Sequence, residues 1–210
     1  MDLATMVANV RRELRDEDSG NYQWTNDELE RHIARALEEF SEEIPYLQVT
    51  AKATTADVGT VDIASLADRI NVIAVEYPIG EVPKKRVRFN LFGDTVTLLG
   101  DETPDGSNCN IYWGTMHTLD VGSSTIPSRF ERLVAVGAEG YALNAWGDYA
   151  INKVNLGGAE AAAEYRASGN SKLKYFRNVL KRQGKANGVA TSQLYSPALP
   201  MVSETRDPGP

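Results

Sequence analysis

One cysteine and two histidines are all that this chain of 210 residues offers to thiol or imidazole chemistry. A lone Cys109 excludes an internal disulfide framework and any multi-cysteine zinc site. A reactive thiol needs a basic partner to hold its thiolate, and only His32 and His117 exist to supply one, so Cys109 reads as a small, half-buried residue of the strand-like run 108–113. His32 shares a helix with Ile33 and Ala36, His117 follows a strand, and neither has a second histidine or an acid at metal-ligand spacing. The sequence carries no Gly-x-Ser-x-Gly, no Walker loop and no dinucleotide fingerprint; Gly157-Gly158 is a helix break rather than a phosphate cradle. No cofactor is implied. No apolar run approaches the roughly 18 residues that cross a bilayer, and Met1-Asp2-Leu3-Ala4-Thr5 lacks the basic-then-apolar layout of a signal peptide. The expected setting is a cytoplasm-like compartment with no membrane partner.

What is present is a composition ordinary for a folded domain, 42% apolar, with an uneven charge. The net charge is −7, yet residues 166–185 hold seven bases (Arg166, Lys172, Lys174, Arg177, Lys181, Arg182, Lys185) and no acid. Residues 1–50 hold twelve acids against five bases. One end repels nucleic acid and the other attracts an acidic surface. A fully solvated face is the plain alternative for the basic stretch. The four-glutamate end of the second helix (Glu38, Glu39, Glu42, Glu43) in a neighbouring copy is one candidate partner.

The apolar spacing divides the chain. Leu3, Met6, Val7, Val10 and Leu14 fall at three- and four-residue steps and predict a one-sided helix over 3–15. A second helix over 26–44 carries Leu29, Ile33, Ala36, Leu37, Phe40 and Ile44 and stops at Pro45. Its start is strongly specified: Thr25 caps the amide three residues on, Glu28 reaches back, and Trp24 packs over Leu29. Between the helices, Asp16 to Asn21 has a superficial calcium-loop look. Gly20 stands where a ligand belongs, Asn21 where the turn glycine belongs, and Asp27 replaces the bidentate Glu, so an ordinary acidic loop is the expectation.

From residue 47 the period becomes extended, through 47–50, 60–63 and 70–77, rich in β-branched residues. Arg86 to Leu91 and Thr95 to Leu99 flank Phe92-Gly93-Asp94 as a hairpin, and a turn-rich stretch from Asp101 precedes a strand over 110–115. Lys84-Lys85-Arg86-Val87-Arg88 is the densest basic run. It reads as a solvated sheet edge guarded against aggregation, with Arg86 and Arg88 on one face and Phe89 on the other. After Pro127 the helical period returns in Phe130, Leu133, Val134, Val136, Tyr141, Ala142, Ala145, Trp146 and Tyr149, with Gly137 and Gly140 placed to let another helix approach. A last helical stretch runs from Ala159 to Gln183, with Tyr165, Leu173, Phe176 and Leu180 on its buried side and Ser168-Gly169-Asn170 as a candidate break. Beyond Gly184 the periodicity ends, although Val189, Leu194, Tyr195, Leu199, Met201 and Val202 are apolar; such a segment cannot bury them alone.

The predicted fold is α+β. A helical bundle scaffold (1–46 and 126–184) carries an inserted antiparallel β module (47–125) and an extended C-terminal tail (185–210). Two stretches carry a resemblance. The aromatic-Thr-x-x-Glu-Leu start at Trp24 to Leu29, leading into Ile33 and Ala36-Leu37 after a first helix and a loop, and Ile126-Pro127-Ser128-Arg129-Phe130-Glu131-Arg132-Leu133-Val134, opening an Ala-rich helix, resemble the two helical halves of the head-to-tail connector (adaptor) proteins of tailed bacteriophages. The resemblance implies a non-enzymatic virion protein of the head-tail neck, assembled in the host cytoplasm. It implies a homo-oligomeric ring, commonly twelvefold, which joins the portal protein to the tail or neck protein below and extends a channel that DNA passes without specific recognition. It also implies that the C-terminal extension docks on the portal or an adjacent subunit, a role carried here to Val189, Leu194, Tyr195, Leu199, Met201 and Val202, with Lys174, Arg177, Lys181 and Arg182 beside them. The β module exceeds the minimal connector core. Two other classes fit the residues less well: a small-ligand-binding protein or hydrolase with its pocket in the β module, and a nucleic-acid-binding helical protein led by Arg166 to Lys185.

Overall fold

The computed structural model describes residues 1–100, 103–151 and 158–192, with the side chains of 151, 158, 159 and 186–192 left aside. Its described residues form four helices and seven strands in an α+β arrangement: α1 (Leu3–Leu14), α2 (Asn26–Glu43), β1 (Tyr46–Ala53), β2 (Thr60–Asp62), β3 (Arg69–Glu76), β4 (Arg86–Val87), β5 (Phe89–Phe92), β6 (Thr95–Leu98), β7 (Asn108–Thr115), α3 (Ser128–Ile151) and α4 (Gly158–Ser192).

The helix ends follow local chemistry. Asp2 caps α1 by accepting the Thr5 amide at 2.8 Å, and Arg15 closes it in the left-handed region. α2 opens on the reciprocal capping box of Thr25 and Glu28. The apolar stripes of the four helices then share one core that includes Met6, Leu29, Phe40, Phe130, Val134 and Phe176. Each such side chain removed from water contributes about 1.5–3 kcal/mol.

The strands build a second core. One sheet has the order β1-β7-β3-β4 and the other β2-β6-β5, all neighbours antiparallel. Cys109, Ile111 and Trp113 of β7 point to the same side and meet Val61, Val96 and Val87 between the sheets. The β5–β6 hairpin turns on Gly93, whose φ of 56° suits a residue without Cβ. Both ends of the β insertion return to the helices, at Ile44-Pro45 and at His117.

Several expectations need correction. The run expected as one strand over 86–91 is two strands in two sheets, because β4 pairs with β3 while β5 pairs with β6. Arg86 is no solvated edge residue: its side chain is mostly buried and pairs with Glu76 at 3.3 Å. Cys109 is fully rather than half buried. Ser168-Gly169-Asn170 breaks nothing, and α4 continues past Gly184 to Ser192, so the first part of the expected extended tail is helical.

Gly169 escapes its helix-breaking tendency through a tertiary contact. A Cβ there would stand 2.8 Å from the Gly140 carbonyl of α3 and would collide with Asn144 Oδ1. The Asn144 side chain can turn aside; the carbonyl cannot. Gly169→Ala is therefore expected to lose stability, because overpacking by about 1–3 kcal/mol outweighs the roughly 1 kcal/mol that alanine adds to a helix. Urea denaturation reads the net sign, and a gain in midpoint would overturn the account.

Candidate assembly surfaces

The acidic end of α2 and the basic face of α4 meet inside one chain. Arg177 of α4 clasps Glu39 with Nη2 at 2.8 Å and Nε at 3.1 Å, and the Tyr141 hydroxyl bonds the same carboxylate. Arg35 stacks over the Tyr141 ring at 4.2 Å. The Arg177 bond holds the Glu39 carboxyl below its ordinary range, and Glu39 in turn raises the guanidinium. Glu39 was expected to face solvent or a neighbouring copy, so its partner is a correction. Further along α4, Lys172 reaches the buried Glu139 at 2.7 Å and Arg166 pairs with Asp148.

The joint between helices and strands is built around His117. Its amide donates to the Ser41 hydroxyl, which donates to the Leu37 carbonyl at 2.7 Å. Its ring nitrogens each face a backbone carbonyl, to which a ring N–H donates: Nε2 lies 3.0 Å from the Ile44 carbonyl, and Nδ1 lies 3.0 Å from the Thr125 carbonyl and 3.1 Å from the Thr125 hydroxyl. Phe40 and Tyr46 flank the ring. Burial lowers the imidazole pKa, opposed by the two carbonyls. His117 thus ties together both chain crossings and is spent on structure. Beside it opens a cleft of about 520 Å³, lined by Tyr46, Leu47, Ile73, Arg129 and Phe130 among others.

Other chemically capable groups are buried or paired. His32 is buried on α2, which lowers its pKa. Burial pushes the Cys109 thiol up, away from the reactive thiolate. Glu76, almost wholly buried, accepts from Tyr112, Asn110 and Arg86, and the Tyr112 bond leads in lowering its pKa. Asp16 accepts from Arg11 and from two backbone amides. Among the described residues no three of His, Cys, Asp and Glu gather as metal ligands. These arrangements can hold a shape and recognise charge; no nucleophile stands against a free base among them.

Of the residues expected to bind a partner, Lys174, Lys181 and Arg182 lie exposed on α4, making no ion pair among the described residues, and Arg177 is engaged with Glu39. Val189 falls in the last stretch of α4. Leu194, Tyr195, Leu199, Met201 and Val202 lie outside the described residues. Sequence reasoning missed two exposed apolar features. Leu47 and Val49 stand on the edge strand β1, and Phe92, nine-tenths exposed, stands at a hairpin tip. Strand alternation next to Gly93 was the available signal for Phe92. No helix among the described residues is long and apolar enough to cross a membrane. Neither a family model nor a curated protein matches the sequence.

Proposed function

We propose that this chain is a structural subunit of a tailed-bacteriophage neck, one member of a ring, twelvefold by family resemblance, that joins the portal to the tail and extends the DNA channel. The observation that carries the reading is that the two stretches resembling connector proteins, far apart in sequence, belong to one core: Trp24, Leu29 and Ile33 pack in the same cluster as Phe130, Leu133 and Val134. In this reading the four helices are the connector bundle and the strands are an addition to it, entering and leaving at the His117 joint. Exposed Glu38 and Glu42 on α2 suit a channel lining, since like charge lets DNA slide without sticking. The C-terminal segment, together with Lys174, Lys181 and Arg182, is the portal contact.

The test is electron microscopy of the purified chain mixed with the portal protein of the same phage genome. A ring stacked on the portal is the expected result. A chain ending at Ser192 keeps every described helix and is expected to retain its circular dichroism while failing to join the portal. Normal joining by that truncation would remove the tail from the reading. If the chain instead binds DNA with a steep salt dependence and ignores the portal, the nucleic-acid reading takes its place.

A further inference from the structure

We propose that subunits of this protein join head to tail, with Phe92 at the β5–β6 tip of one copy seated in the α3–α4 groove of the next. The contact gives the proposed ring its subunit interface, and in that sense it rests on the ring reading.

The two halves of the contact lie on opposite sides of the molecule. Phe92 pairs with Thr95, and Thr95 with Asp62, so these three form a row on one face of the second sheet. That face points outward, because the alternate residues Val61 and Val96 fill the core between the sheets. Phe92 is 90% exposed. A tight turn at Gly93 holds it in place, and the Gly93 carbonyl and the Asp94 carboxylate are both bound by Arg69.

The groove runs between α3 and α4, encloses about 480 Å³, and has Leu133, Val136, Tyr175 and Val179 along it with Arg129 and Arg132 exposed at its rim. It shares Arg129 and Phe130 with the cleft at the joint. That cleft opens on the face of the first sheet that bears Leu47, which is paired with Gly114 and so points away from the second sheet. A projecting apolar group on one side and, on the other, a groove that combines apolar side chains with Arg129, Arg132 and Gln183 make a heterologous contact, which propagates from copy to copy and closes as a ring when the rotation permits.

Charge selects a second copy as the occupant. No acid lines the groove; Arg129 lies over the Phe130 ring and makes no ion pair among the described residues, while Arg132 also borders the neighbouring hollow that holds Glu13, Glu131 and Glu139. Around Phe92 stand exposed Asp62 and Asp94, the latter paired with Arg69 at 2.9 Å, with exposed Asp68 just before Arg69, so the acids outnumber the one base. An aromatic anchor packing on Leu133, Val136 and Val179, with acids facing arginines at the rim, is the combination that supplies both affinity and register.

The experiment mixes full-length Phe92→Cys and Val179→Cys chains with the portal protein under mild oxidation; the native Cys109 is buried and does not compete. A disulfide-linked dimer that forms only when both variants are present is expected. Rings that assemble on the portal without that link would overturn this contact and leave the ring reading standing. Absence of both rings and links would overturn both. A link within one chain between Val179→Cys and Leu194→Cys would place the protein's own C-terminal segment in the groove and also overturn the proposal. As a check without cysteines, Phe92→Asp alters only an exposed position, so its circular dichroism is expected to match wild type while self-association on the portal weakens about ten-fold or more. Unchanged association by that variant would overturn the contact.

Discussion

Asp16→Ala is expected to lower the unfolding free energy by about 3–5 kcal/mol, the range seen when one partner of a buried ion pair is removed. Arg11 and Asp16 have side chains only 6% and 5% exposed and meet at 2.6 Å. Arg11 Nη2 also donates to Asn26 Oδ1 at 2.7 Å, and the guanidinium lies over the Tyr22 ring. Alanine at 16 leaves the arginine charge with a neutral amide oxygen and a ring face in a site closed to water. It also strips an acceptor from the amides of Gln23, at 2.7 Å, and Trp24, at 3.3 Å, just ahead of the Thr25 cap. Asp16→Asn keeps one acceptor and loses the charge, for an expected cost of about 1–3 kcal/mol. The double variant Arg11→Met with Asp16→Ala is expected to be more stable than Asp16→Ala alone, because it removes the stranded charge. Urea denaturation followed by circular dichroism reads all three; equal losses for the single and double variants would mean that the amides, not the charge, dominate.

The Asp16 site shows where sequence reading stops. The capping box at Thr25–Glu28 was legible because every partner lies within four residues, and the observed reciprocal bonds match it. Strand alternation was legible for β7, where buried Cys109, Ile111 and Trp113 alternate with more exposed neighbours and report which face is covered. Asp16, by contrast, looked like one acid among several in a loop, since nothing in local spacing says which carboxylate will fold back over Arg11. Glu39 and Arg177 lie 138 residues apart, so their pairing depended on how α2 and α4 are brought together. Gly169 was read by its intrinsic propensity, and tertiary packing overrode it. Arg88 marks a different difficulty: the run 86–91 alternates smoothly, yet the chain changes sheets there, and a two-residue pleat is identical in either sheet. For the candidate surfaces, the basic residues of α4 were legible as a composition bias. The groove between α3 and α4 was not, because its walls come from two helices that meet only in the folded chain.

Lys172→Met carries the second large effect, and its size is expected to depend on pH. Glu139 has a side chain only 2% exposed, while Lys172, about one-third exposed, reaches it at 2.7 Å from α4. Burial raises the Glu139 pKa and the Lys172 bond opposes the rise; Glu13 adds to it and Arg132 subtracts. A carboxyl whose folded pKa lies above its unfolded one binds its proton more tightly in the folded state. The cost of ionising it appears as pH climbs past the unfolded pKa and is complete above the folded pKa. Methionine preserves much of the lysine stem but deletes the charge, so the folded pKa of Glu139 moves further up and this window widens. Near pH 8 the variant is expected to lose about 2–4 kcal/mol, toward the lower side of the loss for a broken buried pair because Lys172 is partly in water. As pH falls through the raised pKa of the variant, Glu139 takes up a proton in the folded chain and the loss is expected to shrink. Adding Glu139→Gln to Lys172→Met should abolish the pH dependence of the difference. A deficit that stays constant from pH 5 to pH 8 would show that the lysine acts through its packing against α3 and not through the charge it brings to Glu139.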